Sequence, residues 1–406
     1  MVEAIDVIVI GGGQAGLATS HELTGAGIDH VVLERARIAQ SWRDRWDSFC
    51  LVLPNWSLQL PGYPYDGDQP DGFMLRDDIV AYLESYAALS KAPVREGAEV
   101  FDIQQLSPGW TVRTSDGDLE AAAVIAATGA FQRAVRPRGS ESLPDSILQL
   151  DIGGYRNPED LPPGRVLVVG SGQSGCQVAE DLIRGGREVF LACGRSPWLP
   201  RQVGGRDIYW WATESGFMDQ PLTALGDPAE RLAANPQLSG RDGGHDLHFR
   251  TLVAMGVTLL GHFQGSNGRS AFFAPDLAAS VAFGDQAYAQ FGQLIRRVAQ
   301  ERGIAVDDLS EPAPFDVDGP DTLDLDGFGA VIHTAGFRPD YASWIEATEA
   351  FDSLGFPIQD MDGNGVLPGL HFVGVHFLRN RKSALFPGVG EDASVVVSKV
   401  GEYVLQ

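Results

Sequence analysis

Apolar and polar positions near the start of the chain alternate in blocks that predict a strand, a loop, a helix and a second strand. Residues 5–10 are a short, largely β-branched run, which is typical of a strand buried on both faces of a parallel sheet. Gly25 and Gly27 are placed to end the following helix, and residues 30–33 form a second apolar run that closes on the acid Glu34. We therefore expect one βαβ unit here.

The same pattern returns in the middle of the chain and predicts a second unit. Residues 165–169 form its expected first strand, Gly185 and Gly186 the end of its helix, and residues 189–193 its second strand. Two such units predict an α/β fold with two Rossmann-like dinucleotide-binding domains. The other expected elements are a helix capped by Asp77, strands at 99–106, 110–115, 119–127, 330–334 and 370–373, a hairpin around 265–268, and a helix over 286–302.

Glycines in the first unit stand in the G-x-G-x-x-G register of a dinucleotide-binding loop. Each of the three glycines has its own structural role: the first permits a tight turn, the second permits close approach of the backbone to a pyrophosphate, and the third permits close packing of helix on strand. Glu34 then stands where a ribose hydroxyl needs an acceptor. The residues predicted to hold this first cofactor are Gly11, Gly13, Gln14, Ala15, Gly16, Glu34 and Arg35.

The second unit repeats the glycine register but differs after its second strand. No carboxylate stands there, and Arg195 could pair with the 2′-phosphate that distinguishes NADP from NAD. We therefore assign FAD to the first loop and NADPH to the second. The residues predicted for the second site are Gly170, Gly172, Gln173, Ser174, Gly175 and Arg195. Arg201 and Arg206 either help hold the phosphates or lie on the solvated surface.

Further candidates for cofactor binding lie in two other places. Some are small residues in the turns that follow predicted strands, and one lies in an aromatic-rich stretch. Trp42 belongs to that stretch, residues 35–68, where it either packs in the core or flanks a flat cofactor ring. The small-residue turns and the start of a predicted closing helix supply Thr128, Gly129, Gly336, Gly390 and Glu391.

Composition narrows the classes of function. A net charge of -24 argues against a nucleic-acid or anionic-membrane surface. The three cysteines include no C-x-x-C pair, which excludes a disulfide framework and a close redox dithiol. His245 and His248 have no partners at metal-ligand spacing, so no metal is expected. No apolar run is long enough to span a membrane, and we expect a soluble, cytoplasmic protein.

Several motifs together resemble the flavin-containing monooxygenase group of the two-dinucleotide flavoproteins, over residues 5–403. They are GGGQAG with Glu34, GSGQSG, the two small-residue turns and the terminal GVGEDA. The resemblance implies a glutathione-reductase-like fold with an NADP domain (161–318) inserted into an FAD domain (1–160 and 319–406). It also implies bound FAD, diffusing NADPH, and Asn55 as a catalytic residue beside flavin and nicotinamide.

The chain departs from this group in the linker before the second loop, where the group carries F-x-G-x-x-x-H-x-x-x-[WY]. Alignment on Tyr155 places Asp145, Ile147 and Asp151 at the Phe, Gly and His positions, so that only the aromatic residue is retained. By the resemblance, that histidine influences how NADP is held during oxygen chemistry.

The resulting functional hypothesis is an NADPH-dependent FAD monooxygenase that uses O2 and a flavin hydroperoxide to oxygenate a small-molecule amine, sulfide or ketone. Two alternatives stay open: an NADPH-flavin oxidoreductase without oxygen transfer, and a redox-sensing or transport-regulating flavoprotein. The substrate is not specified by the sequence, and the oligomeric state is open, with a homodimer among the alternatives.

Overall fold

The computed structural model describes residues 2–404 and contains an α/β protein with two main sheets, one mixed and one parallel. The strands are β1 (Glu3–Ile10), β2 (His30–Glu34), β3 (Gln59–Leu60), β4 (Tyr63–Pro64), β5 (Val94–Glu96), β6 (Val100–Gln105), β7 (Trp110–Thr114), β8 (Gly117–Ala126), β9 (Arg133–Ala134), β10 (Leu148–Asp151), β11 (Arg165–Val169), β12 (Val189–Ala192), β13 (Gln202–Val203), β14 (Arg206–Asp207), β15 (Thr258–Leu260), β16 (Phe263–Ser266), β17 (Ser270–Phe273), β18 (Thr322–Asp324), β19 (Phe328–His333), β20 (Phe337–Arg338) and β21 (Leu370–Phe372).

The helices alternate with these strands. They are α1 (Gln14–Ala26), α2 (Gln40–Arg43), α3 (Arg76–Ser90), α4 (Gln173–Arg184), α5 (Ile208–Glu214), α6 (Phe249–Met255), α7 (Leu277–Arg302) and α8 (Phe386–Val404). None of them, within residues 2–404, is long and apolar enough to cross a membrane.

The first sheet contains the predicted opening unit. Its parallel strands run in the order β5, β2, β1, β8. Strand β21 pairs in parallel with the C-terminal end of β8. The meander β6–β7–β8 is antiparallel and turns between β7 and β8 where the sequence predicted a hairpin. The core strands β1 and β2 are buried in their apolar runs, as expected for strands covered on both faces.

The second sheet has the parallel order β10, β19, β11, β12, β15. Because β21 returns the chain to the first sheet, the second unit is inserted into the first, which confirms the predicted fold class. Strands β10 and β19 of the second sheet lie on either side of the predicted range 161–318. The domain boundaries themselves stay a prediction.

Two helix boundaries differ from the predicted ones. Leu75, and not Asp77, is the N-cap residue of α3; Asp77 lies in the first turn, where it accepts a hydrogen bond from Arg76 Nε. Helix α7 begins at Leu277 rather than at 286. Gly284 lies inside this helix and weakens its helical sequence pattern. A Cβ at this position would lie 2.9 Å from Trp198 Cδ1, so the glycine permits close packing against that ring.

Candidate functional site

The first glycine loop leaves free space at one of its three glycines. Gly11 has φ +112, and a Cβ there would lie 2.9 Å from the carbonyl oxygen of Ala127. At Gly16 a Cβ would lie 1.8 Å from the carbonyl oxygen of Gly11. At Gly13 it would meet no atom within 4 Å. The first two glycines are thus required by the fold, while the space beside Gly13 is available to a ligand at the N-terminus of α1.

Glu34 holds this loop from the end of β2. Its Oε2 accepts the N–H of Gly12 at 2.8 Å, and its Oε1 accepts the N–H of Ala36 at 3.0 Å. Each carboxylate oxygen retains a lone pair for a further donor such as a ribose hydroxyl. Arg35, the next predicted residue, is exposed.

Gln14 and Trp42 connect the loop to the start of α8. Trp42 Nε1 donates to Gln14 Oε1 at 3.0 Å, and Gln14 Nε2 donates to the carbonyl oxygen of Ala384 at 3.3 Å. The indole of Trp42 stacks on Phe386 with centroids 5.7 Å apart. Ala15 is buried directly behind, against Gly374. Three segments distant in sequence therefore meet around the first loop.

The small-residue turns lie at the ends of the central strands. The carbonyl oxygen of Gly129 accepts the hydroxyl of Tyr341 at 2.8 Å, and Thr128 Oγ1 accepts Gln132 Nε2 at 2.9 Å. Gly336 follows β19 with φ +91 and has no neighbour around its Cβ position.

The other end of this region is the closing helix α8, which begins at Phe386. Gly390 and Glu391 therefore lie within the helix rather than at its open N-terminus. Gly390 packs against Pro61, and Glu391 accepts Lys382 Nζ at 2.7 Å. At this end of the helix Pro387 has no N–H, and Gly388 donates its own to the carbonyl oxygen of Leu385 at 3.0 Å.

A segment that the sequence did not indicate covers the second glycine loop. A Cβ at Gly172 would lie 3.4 Å from Ala234 Cβ. Gln173 Nε2 donates to the carbonyl oxygen of Pro236 at 3.0 Å, and Gln237 Nε2 donates to that of Ser171 at 2.9 Å. Ser174 is half-buried beside them. Residues 234–237 therefore lie over the loop that the second dinucleotide would contact.

The rest of the second loop is packed as tightly as the first. Gly170 has φ +111 and lies against Thr334. A Cβ at Gly175 would be 2.0 Å from the carbonyl oxygen of Gly170. The two loops thus share the same steric design, with glycines that the backbone requires.

Three arginines after β12 have different surroundings. Arg195 is exposed and has no hydrogen bond or ion pair to residues 2–404. Arg201 is 3% exposed; its Nη2 contacts both carboxylate oxygens of Asp207, and its guanidinium lies over Phe73. Arg206 lies over Trp210. Arg201 is therefore the one of the three that an acid already holds, while Arg195 and Arg206 keep their N–H donors for a phosphate.

Asn55 is buried at the start of a short turn. Its Nδ2 donates to the carbonyl oxygen of Gln69 at 3.0 Å, and its Oδ1 accepts the N–H of Met74 at 2.9 Å. The amide therefore stabilises the loop over residues 69–74, and one of its two N–H donors is left for another partner.

Asp151 ends β10 and forms an ion pair. Arg136 donates to both of its carboxylate oxygens, from Nε at 2.7 Å and from Nη2 at 3.1 Å. Tyr155, the retained aromatic residue, is fully buried and donates its hydroxyl to Asp181 Oδ2 at 2.7 Å. Where the resembled monooxygenase motif has a histidine, this chain therefore has an aspartate whose charge is neutralised by Arg136.

His245 and His248, the two histidines without metal-ligand partners in the sequence, each contact neighbouring groups. His245 Nε2 lies 3.0 Å from Glu180 Oε1, which raises the pKa of the imidazole. His248 is the N-cap residue of α6, and its ring lies against Trp198. Within the described part of the chain, no group of three or more ligand-type side chains could hold a metal ion.

We expect His248 to make the protein less stable in acid. Burial lowers its pKa to about 4, with Arg250 acting in the same direction and Asp246 and Asp285 opposing it. The unfolded chain therefore takes up this proton first, and stability falls as the pH drops from 6.5 towards 4. The loss at pH 5 is at most about 2 kcal/mol. Urea unfolding of wild type and His248→Asn at pH 7 and 5 measures it.

The asparagine variant is the control for the cap, because its amide oxygen can accept the same backbone N–H. An equal loss of stability in both proteins between the two pH values would contradict the assignment.

The chain is similar in sequence to known oxidoreductases. The profile of the family described as pyridine nucleotide-disulphide oxidoreductase matches residues 8–204. The chain is 31% identical over 402 residues to an uncharacterized CzcO-like oxidoreductase of Geobacillus kaustophilus, covering 98% of this chain and 99% of that protein. It is 26% identical over 439 residues to indole-3-pyruvate monooxygenase YUCCA4 of Oryza sativa subsp. japonica, covering 98% of this chain and 88% of the rice protein.

Among solved structures, a mutant flavin monooxygenase of Stenotrophomonas maltophilia matches with a TM-score of 0.70 at 22% identity, covering 99% of each chain. At this identity the likeness concerns the fold, which it confirms. The relatives confirm the predicted oxidoreductase class, and the predicted FAD and NADP agree with it. With 31% identity to the Geobacillus protein over nearly the full length of both, the chain belongs to the CzcO-like oxidoreductases.

Proposed function

We propose that the protein is an NADPH-dependent FAD monooxygenase of a small-molecule amine, sulfide or ketone. The observation that carries the proposal is the pair of glycine loops with opposite charges after their second strands, Glu34 at the first and Arg195 at the second. One site suits a ribose hydroxyl and the other a 2′-phosphate. Two dinucleotides on one chain serve to pass a hydride between them.

The residues present fit FAD at the first loop. The open space beside Gly13, the N-terminus of α1 and the spare lone pairs of Glu34 accommodate a pyrophosphate and its ribose. Bound FAD would supply the chemistry, in which NADPH, a proton, O2 and the substrate give NADP+, water and the oxygenated substrate. The chain would position both nucleotides and exclude water between them.

The two units contact each other next to Asn55. Trp56, next to Asn55, lies 5.6 Å from Tyr209 between ring centroids, and Arg201 Nη1 donates to the carbonyl oxygen of Val52 at 2.9 Å. The remaining N–H of Asn55 is the group we propose to act on the cofactors, as a hydrogen-bond donor near the reacting rings.

The cysteines support oxygen as the electron acceptor over a dithiol. All three are buried and unpaired. Burial raises the pKa of the Cys50 thiol to about 11, and burial raises the pKa of the Cys176 thiol well above its ordinary value. A thiol held neutral is a poor partner for disulfide exchange. Reduced, buried thiols also support the proposed cytoplasmic location.

A second candidate function is an NADPH-flavin oxidoreductase without oxygen transfer. The ion pair Arg136–Asp151 favours it, since no histidine stands at that position of the linker. Flavin reduction by NADPH would be unaffected, but the retention of NADP during oxygen chemistry would depend on other residues.

Isotope labelling separates the two functions. The FAD-loaded protein is supplied with NADPH, labelled O2 and a panel of amines, sulfides and ketones, and the products are analysed by mass spectrometry. A monooxygenase puts one labelled atom into a product. NADPH oxidation that gives labelled hydrogen peroxide with every member of the panel, together with rapid reduction of an artificial electron acceptor, would favour the reductase.

Arg195→Ala is expected to reduce the preference for NADPH over NADH. Loss of a charge-assisted contact to the 2′-phosphate costs roughly 10- to 150-fold in affinity. The Michaelis constant for NADPH should rise by about this factor while that for NADH stays unchanged. The readout is the initial rate of flavin reduction at varied concentrations of each nucleotide.

Arg269→Ala is the matched control, because Arg269 is an exposed arginine of the same unit, with its side chain 84% exposed on the β16–β17 hairpin. An unchanged cofactor ratio in the Arg195 variant would show that the 2′-phosphate contacts other residues.

A further inference from the structure

A guanidinium without an acid partner lies where the two units meet. Arg381 belongs to the loop between β21 and α8, and its side chain contacts the segment after α5. Its guanidinium carbon lies 4.0 Å from the ring centroid of Phe217 and 4.7 Å from that of Phe377. The backbone N–H of Arg381 donates to the carbonyl oxygen of Gln220 at 3.0 Å. One ring and the glutamine come from one unit, and the other ring comes from the other.

Most of the donors of this guanidinium are unused. Of its five N–H groups, one on Nη2 donates to Gln220 Oε1 at 3.2 Å, and the buried Nε has no partner. Within residues 2–404 no carboxylate oxygen lies within 4.0 Å of it. Burial lowers its pKa, and the acid that opposes this is Glu230, whose side chain caps the N–H of Asp227.

The neighbouring basic residues show that acids are available here and are used elsewhere. Arg379 pairs with Asp392, and Lys382 pairs with both Asp219 and Glu391. Arg381 lies between them in sequence and alone lacks a counter-ion. Burying a cation with unused N–H donors costs folding free energy unless an anion binds to it.

The backbone beneath the guanidinium is strained. Phe377 has φ +58, which is unfavourable for a bulky residue, and it is held there by its N–H bond to the carbonyl oxygen of Asn380 at 2.9 Å. Such strain is retained where the surrounding structure fixes it, often at ligand sites. Here it places the Phe377 ring against the guanidinium.

We infer that Arg381 binds the carboxylate of the substrate, so that the protein acts on small carboxylic acids with an apolar body. The two phenyl rings leave the edge of the guanidinium plane for a carboxylate and offer apolar walls to the rest of the molecule. Calling the ligand a substrate rests on the proposed function. The binding itself does not.

Isothermal titration of the FAD-loaded protein tests the inference with phenylacetate, phenylpyruvate and hexanoate, each paired with its neutral primary amide. We expect at least one acid to bind the wild type roughly 10- to 150-fold more tightly than its amide. Arg381→Met should abolish this preference and Arg381→Lys should retain part of it. Arg165→Met is the matched control, because Arg165 also lies between two phenylalanine rings, at the start of β11, and should leave the preference unchanged.

The inference is overturned if no acid binds better than its amide in the wild type, if Arg381→Met keeps the preference, or if the Arg165 variant loses it too. A wild type without the preference overturns the inference even if Arg381→Met does not fold, and Arg381→Lys then tests the residue itself. Titration detects binding without turnover, so acid binding without labelled product would reject the monooxygenase and leave the carboxylate site in place.

Discussion

Gly13→Val is expected to give a folded protein that is purified without FAD. A Cβ at Gly13 meets no protein atom within 4 Å, and its backbone is not in the left-handed region, so the chain itself tolerates the side chain. The same space is where a pyrophosphate would approach the N-terminus of α1. The FAD content of purified protein, measured by flavin absorbance against protein concentration, should fall to near zero.

Gly25→Val is the matched control, because Gly25 is an exposed residue of the same helix and its Cβ position is also empty. It should retain FAD. Circular dichroism of both variants should match the wild type. Full flavin occupancy in Gly13→Val would show that the first loop does not hold the pyrophosphate.

A substitution of Glu34 would be a less specific test of FAD binding than Gly13→Val. Replacing this acid removes a predicted ribose acceptor, but it also releases the N–H groups of Gly12 and Ala36 that hold the loop. Loss of FAD from a Glu34 variant would therefore report on either effect. The space beside Gly13 separates ligand binding from loop stability, and Glu34 does not.

Local patterns carried most of the fold prediction. The strands and the glycine turns were predictable because apolar runs and left-handed positions such as Gly27 act within a few residues. The placement of β10 and β19 in the second sheet was not, since strand pairing across the chain leaves no local signal. The predicted domain boundaries consequently divide that sheet.

In the candidate site, too, the features with a local sequence signal were predictable and those that depend on distant contacts were not. Both loops and their flanking charges follow from residue spacing. The cover over the second loop depends on amide contacts from Gln173 and Gln237 to distant backbone, which no motif indicates. Arg381 was likewise invisible, because its lack of an acid partner is a property of the packed structure rather than of the sequence.

Asn55→Ala is expected to divert most electrons from NADPH to hydrogen peroxide while flavin reduction by NADPH stays at the wild-type rate. If the remaining N–H of Asn55 acts on the cofactors, its loss affects oxygen transfer and spares the hydride step. The uncoupled reaction consumes NADPH, a proton and O2 and gives NADP+ and hydrogen peroxide. The measurement is peroxide formed per NADPH consumed, with the reduction rate followed separately by rapid mixing.

Asn267→Ala is the control for the structural part of the effect. Asn267 also stabilises a turn through its side chain, accepting the N–H of Arg269 and of Ser270, but it lies on an exposed hairpin. This variant loses similar backbone contacts and should leave the peroxide ratio unchanged. A raised ratio in both variants would assign the effect to loosened turns.

The linker position gives the complementary change, in which coupling should improve. Asp151→His introduces the histidine of the monooxygenase linker motif that this chain resembles, and it should lower the peroxide ratio if oxygen is transferred. It also leaves Arg136 without its acid, so Asp151→Asn, which breaks the same ion pair without adding an imidazole, is compared with it. Equal peroxide ratios in wild type, Asn55→Ala and Asp151→His would make oxygen transfer at this site untenable and leave the reductase as the function of the protein.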